Sequence, residues 1–311
     1  MTELSFDRVA VFGAGGPTGS YICDQLLGRR SAVRGVARNK ERLDQVFADT
    51  GVETLSADAL DADAVERAVT GCDLVVDCIG LPADRMADHP RTARNIAHAA
   101  RNAGARCLQV SSYWAYLPII RLPLTEAHPR RGGVDYVRLR REAEDIMEGT
   151  GAAVVNLPDF YGPRVHTSTL QQALTEALAD KPMSWIGRAD TPHEYAYVPD
   201  AARTIVELAH RREAYGQRWI VAGAGPLTAD ETAKIASDAL GRNVKVRAAG
   251  VWMLRLLGLF MSELRQFLPM VPYYVEPISY DSTRLVDLIG EQPTTPYADG
   301  VSATLDWLRD V

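Results

Sequence analysis

Cysteine is scarce in this chain. Cys23, Cys72, Cys78 and Cys107 are its only four among 311 residues, and all lie in apolar contexts without metal-ligand spacing. They read as reduced core thiols, and the expected compartment is cytoplasmic. The six histidines are scattered, with no HExxH-like cluster, so neither a structural nor a catalytic metal is expected. Long apolar runs are missing too. GVWMLRLLGLFM comes nearest to a membrane span but is short and interrupted by Arg255. The opening MTELSFDRVA has no basic region followed by an apolar stretch, so it does not read as a secretory signal. There is no excess of positive charge. A formal net charge of -6 gives no support to nucleic acid or an anionic membrane as partner, and the expected partner is a small molecule.

What is present is the composition of an ordinary globular protein, 47% hydrophobic and 24% charged. The first half alternates short β-branched runs with helical patterns, as parallel α/β folds do. RVAVF, AVRGVA, VETLSA, DLVVDC, RCLQV and AAVVN read as successive strands. Helices are expected over 18–28, 91–103 and 134–148. Near-continuous apolar strands fit a doubly wound, Rossmann-type parallel sheet covered by helices on both faces. Beyond Leu157 prolines and aromatics become common, and helices are expected near 167–178 and 199–210. The expected organisation is a dinucleotide-binding domain over 1–156 and a smaller substrate lobe over 157–311, with some later segments returning to the first domain.

The strongest local signal is VAVFGAGGPTGSYICDQLL, a strand running into glycines and then into an apolar-periodic helix. Gly13 permits the tight turn, Gly16 lets the backbone approach a pyrophosphate, and Gly19 allows close helix packing. With Gly15, Pro17 and Thr18 they form a turn that places a diphosphate at a helix N-terminus. At the end of strand two, where an NAD enzyme presents an acidic residue to the ribose, this chain reads Ala37-Arg38-Asn39-Lys40. Arg38 suits a 2′-phosphate, so NADP is favoured over NAD. Asp58 is placed to accept from the adenine amine, and Gly80 to leave room for the cofactor beside strand four.

Together with VSS after strand five, Tyr136, FYGP at 160–163 and YVPDAARTI at 197–205, this turn resembles the short-chain dehydrogenase/reductase superfamily. More narrowly, it is similar to the NAD-dependent epimerase/dehydratase family. The resemblance implies a serine that orients the substrate oxygen, a tyrosine that moves the proton, and a lysine four residues on. The lysine holds the nicotinamide ribose and favours the tyrosinate. Ser112 fills the serine position, although the alignment could shift by one onto Tyr113. Tyr136 fills the tyrosine position. Arg140 stands where the lysine is expected, keeping the charge and the helix face but changing the shape. Its alternative occupation is an i,i+4 charge ladder through Glu144, alongside Arg138–Glu142 and Arg141–Asp145. Tyr113 or Tyr116 is the reserve proton donor. Pro158 and Phe160 are placed near the nicotinamide.

His193 stands at the position where nucleotide-sugar enzymes of this family present an arginine to the diphosphate. The expectation drawn from it is a small carbonyl or alcohol substrate and not a nucleotide sugar, with Tyr113, Trp114, Tyr161 and His193 lining the pocket. His193 and Glu194 could equally form a structural pair. The leading activity is an NAD(P)-dependent oxidoreductase. The alternatives are a non-catalytic redox sensor and an epimerase or dehydratase with transient oxidation by bound cofactor. The resemblance also leaves room for a homodimer.

Overall fold

The computed structural model describes residues 3–311. Its first half builds a regular alternation of strand and helix. It begins β1 (Arg8–Phe12), α1 (Pro17–Gly28), β2 (Ala32–Ala37), α2 (Lys40–Val46) and β3 (Glu53–Ser56). It continues through α3 (Ala62–Val69), β4 (Leu74–Asp77), α4 (His89–Asn102), β5 (Arg106–Ser112), α5 (Asp135–Gly149) and β6 (Ala153–Leu157). The six strands and helices α1, α4 and α5 agree with the periodicity of the sequence to within about two residues at each end, the usual uncertainty of a helix or strand terminus, while α2 and α3 are further helices between the strands.

After β6 come β7 (Asp159–Tyr161), α6 (Thr169–Leu178), β8 (Met183–Ile186), β9 (His193–Tyr197), α7 (Val198–Ala209) and β10 (Arg218–Ile220). Then follow β11 (Pro226–Leu227), α8 (Ala229–Leu240), β12 (Val246–Ala249), α9 (Val251–Leu257) and α10 (Ser262–Phe267). The chain closes with α11 (Val271–Tyr274), α12 (Thr283–Ile289) and α13 (Tyr297–Arg309).

Seven strands form one sheet in the order β10-β6-β5-β4-β1-β2-β3, and every pairing in it is parallel. Strands β4 and β6 are buried along their whole length, which explains why they read as continuous apolar runs rather than alternating ones. One core lies under α1 and α7, the other under α3, α4 and α5. The smaller lobe combines the β11-β9-β7 sheet, the β12–β8 pair and helices α6, α8 and α13 around a third core.

Candidate functional site

The strand order reverses between β1 and β4, and the turns leaving those two strands flank the crevice where such sheets bind ligands. Gly13 is in the left-handed region at φ +76°, and a Cβ there would stand 2.6 Å from the Cys78 carbonyl oxygen. A Cβ on Gly19 would meet the Gly13 carbonyl oxygen at 2.5 Å. These two positions therefore need glycine for the protein's own packing. Gly15 and Gly16 differ, since a Cβ would approach nothing closer than 3.6 Å and 3.3 Å respectively. Pro17 occupies the first turn of α1, Gly16 supplies no side-chain cap, and Thr18 is buried. The free N–H groups of α1 thus face the glycine turn, the arrangement that holds a phosphate. Gly80 has open space around its Cα, with no protein atom within 4 Å of a built Cβ. The residues present fit a dinucleotide.

A cleft of about 720 Å³ runs from Gly13, Gly15 and Gly16 to Ala37, Arg38, Asn39, Lys40, Glu41, Arg42 and Ser56. Asn39 caps α2 by accepting from the Arg42 N–H, and Ser56 donates to the Arg38 carbonyl, so the turn after β2 is fixed from both sides. Lys40 pairs with Asp44. Among the described residues Arg38 and Arg42 have no ion-pair partner. Arg42 escaped the sequence reading because it lies inside a helix, yet its place one turn after Arg38 was the available signal. Asp58 lies outside this cleft and accepts from the N–H of Leu60 in its own turn.

Strand alternation separates the two serines at the end of β5. Ser111 turns into the protein and donates to Glu144 at 2.5 Å, whereas Ser112 lies on the other side and accepts from the Trp114 N–H at 3.3 Å. Among the described residues the Ser112 hydroxyl proton has no acceptor. Tyr136, in the first turn of α5, is half-buried and donates its phenol to the Gln266 carbonyl at 3.1 Å. Arg140 follows one turn later on the same face.

Arg140 does not join a charge ladder. Arg138 pairs with Asp135, Glu142 lies 3.9 Å from Arg94, and Asp145 takes Arg130 and Arg218. Glu144 is fully buried and is held by Arg130 at 2.8 Å, Asn156 at 2.6 Å and Ser111. Burial pushes the Glu144 carboxyl upward, and these donors oppose the shift. Arg140 itself is half-buried with its Nε enclosed and unpartnered among the described residues. Burial lowers its pKa while the charges of Glu144 and Asp77 act the other way. Asp77, at the end of β4, accepts from Gln109 and the Ile79 N–H, and burial raises its pKa. His89 faces the same region, held neutral by burial and by Arg140 with its pKa pressed down to about 2. Arg140 thus lies half-buried on α5, facing the end of β4 and the start of α4, within reach of the charges of Asp77 and Glu144. The hub at Glu144 was legible in principle. Val137, Glu144 and Met147 lie on one helical stripe, and a carboxylate on an apolar stripe signals a buried partner set.

The second-lobe candidates are placed unequally. Trp114 is half-buried and meets Tyr274 edge-on at 6.4 Å, while Tyr113 is buried against Tyr280 at 5.9 Å. Pro158 is buried and Phe160 half-buried beside the first core. Tyr161 is only 1% exposed and packs between Tyr197 and Tyr297 in the core of the smaller lobe. His193 is also in that core, 6% exposed, edge-on to Trp185 and hydrogen-bonded to the Thr191 carbonyl through Nδ1. Its neighbour Glu194 accepts from the N–H groups of Gly223 and Tyr280.

Residues 13–157 match the family model described as NAD(P)H-binding. An uncharacterized Mycobacterium tuberculosis protein is 30% identical over 186 residues, which cover 56% of this chain and 20% of that protein. The chain therefore spans about a fifth of that relative's length. Cinnamoyl-CoA reductase 1 of Oryza sativa subsp. japonica is 36% identical over 118 residues, 34% of this chain and 35% of the reductase. Among solved structures, UDP-glucuronic acid 4-epimerase from Bacillus cereus, in complex with UDP-glucuronic acid and NAD, has a TM-score of 0.81 at 15% identity. It aligns over 97% of this chain and 99% of its own.

Several of the other whole-chain structural matches are also nucleotide-sugar epimerases and dehydratases. They overturn the expectation of a small carbonyl or alcohol substrate that is not a nucleotide sugar. The physical reason lies in His193. A buried ring committed to the lobe core says nothing about how a diphosphate would be held, so the absence of arginine there excludes no substrate. The glycine turn, the strand order and these matches together show that residues 13–157 match an NAD(P)H-binding family model on a Rossmann-type fold, and that the fold is shared with nucleotide-sugar epimerases and dehydratases.

Proposed function

We propose that the chain is an NAD(P)-dependent epimerase or dehydratase that transiently oxidises a nucleotide sugar. The observation that carries this reading is the reach of the likeness. It extends over 97% of this chain and so includes the smaller lobe, to which we assign substrate selection, as well as the Rossmann half. When bound, the nicotinamide supplies the hydride acceptor and donor. Ser112 orients the oxygen of the reacting carbon through its free hydroxyl proton. Tyr136 takes the proton of that oxygen as the carbon is oxidised. In an epimerisation it returns the proton when the same carbon is reduced. In a dehydration that carbon stays a ketone, water leaves from the neighbouring carbon pair, and hydride and proton add across the double bond so formed. Arg140, one turn further along the same helix, is assigned the place of the family lysine beside the nicotinamide ribose. Hydride and proton both return to the sugar-derived product, so the cofactor is not consumed.

The test is incubation with UDP- and dTDP-hexoses and oxidised cofactor. An epimer or a dehydrated keto sugar should accumulate without net formation of reduced cofactor. Stoichiometric NAD(P)H release, or no conversion of any nucleotide sugar, would overturn the proposal.

Within this reading we assign NADP ahead of NAD. Arg38 and Arg42, neither with an ion-pair partner among the described residues, line the far end of the cleft with Glu41, while Lys40 is taken by Asp44. The solved relatives named above hold NAD, so both cofactors need measuring. Arg38→Ala should weaken NADPH binding by about 10- to 100-fold, the loss of one charge-assisted contact. NADH binding should stay within about threefold. Equal losses for both cofactors in a fluorescence titration would remove Arg38 from 2′-phosphate recognition.

A further inference from the structure

Eight large apolar side chains are exposed among the described residues, and five of them fall between Trp252 and Met261. Trp252 is 71% exposed, Leu259 66% and Phe260 83%. Trp252, Leu256, Leu259 and Phe260 recur at helical spacing along α9 and the turn that follows it, so they share one outward face. Arg265 fixes that turn by donating to the carbonyls of Gly258 and Leu259, which holds the apolar tip in place. A patch of this kind on a monomer marks a contact surface.

The charge around the patch selects its occupant. Between Asp238 and Glu263 the chain carries Arg242, Lys245, Arg247 and Arg255 and no carboxylate, although the whole protein has a net charge of -6. Arg242 is taken by Asp180, whereas Lys245, Arg247 and Arg255 are exposed and without an ion-pair partner among the described residues. A second copy of the chain would oppose cations to cations across the same patch. An anionic lipid surface meets both properties at once, accepting tryptophan and phenylalanine at the headgroup boundary and basic side chains at the phosphates. No helix of the described residues is long and apolar enough to cross a membrane, so the contact is peripheral. The net charge that argued against such a partner averages over the chain and conceals a stretch of sequence that is both basic and apolar.

We infer that the α9–α10 segment docks this protein onto an anionic lipid bilayer surface. This holds independently of the reaction proposed above. The test is co-sedimentation of the full chain with phosphatidylcholine vesicles, with and without about 30% phosphatidylglycerol. The anionic vesicles should bind about 10- to 100-fold more tightly, and rising salt should weaken the binding. Trp252 emission should shift to the blue on binding, and this shift should vanish in Trp252→Phe. Leu259→Ser with Phe260→Ser should abolish sedimentation, and Arg255→Glu should remove the preference for anionic lipid. The altered side chains are exposed, so the thermal transition serves as the control for folding. Absence of binding, or equal binding to neutral vesicles, would overturn the proposal. So would a lipid-free dimer that the double variant dissolves, which would assign the patch to a second copy.

Discussion

Tyr136→Phe should lower turnover by about 10²- to 10⁴-fold, the range of a lost general acid–base group. Cofactor affinity should be almost unchanged. The side chain makes one hydrogen bond, to the Gln266 carbonyl, and the ring stays packed against the core cluster that includes Leu117, Val137 and Met270 in the variant. The stability cost should therefore be at most about 1 kcal/mol. A single-turnover measurement at the nicotinamide absorbance separates the effects, since a chemical role slows reduction of the bound cofactor while the dissociation constant for cofactor holds. Turnover within about threefold of wild type would remove Tyr136 from proton transfer. Ser112→Ala in the same assay should lose less, because it removes orientation and leaves the base in place.

The largest effect on stability is expected at Glu144. Glu144→Ala removes the acceptor of Ser111, Asn156 and Arg130 at once and leaves Arg130, whose side chain is only 10% exposed, with Asp145 as its one remaining ion-pair partner among the described residues. Breaking a buried charged pair on one side costs about 3–5 kcal/mol. Because Glu144 ties α5 to both β5 and β6, the loss should appear in global unfolding and not in local fraying. Glu144→Gln retains an acceptor for Asn156 and Ser111, and Arg130 keeps Asp145, so its cost should be smaller by about 1–2 kcal/mol. Urea unfolding of the two variants checks the ranking. A loss below about 1 kcal/mol in Glu144→Ala would mean that water replaces the carboxylate at little cost.

The limits of the sequence reading follow from the kinds of interaction involved. The strands, the glycine turn and the helix bearing Tyr136 depend on neighbours within one or two turns, so period and turn chemistry located them. Trp114 and Arg38 likewise follow strand ends, where a sheet of this type presents side chains to its ligands. His193 and Tyr161 could not be placed this way. Each sits in a short strand where one step of register decides between cleft and core, and nothing nearby fixed that step. Arg140 was readable as a departure from the family pattern, but its surroundings come from Asp77 on β4 and His89 on α4. The Gln266 contact spans 130 residues and left no local trace.

The acceptor for Tyr136 is a main-chain carbonyl, which makes the contact indifferent to the side chain at position 266. Substitutions there can accumulate over evolution while the phenol remains covered. What matters is chain length. From Gly258, whose carbonyl Arg265 holds, to Met270, buried in the core beside Tyr136, the spacing decides which carbonyl reaches the phenol. A one-residue insertion or deletion in that span would rotate α10 by about 100° and withdraw the carbonyl. Relatives that differ in the length of this short segment would therefore differ in how their tyrosine is covered, even where every residue around the cofactor is the same.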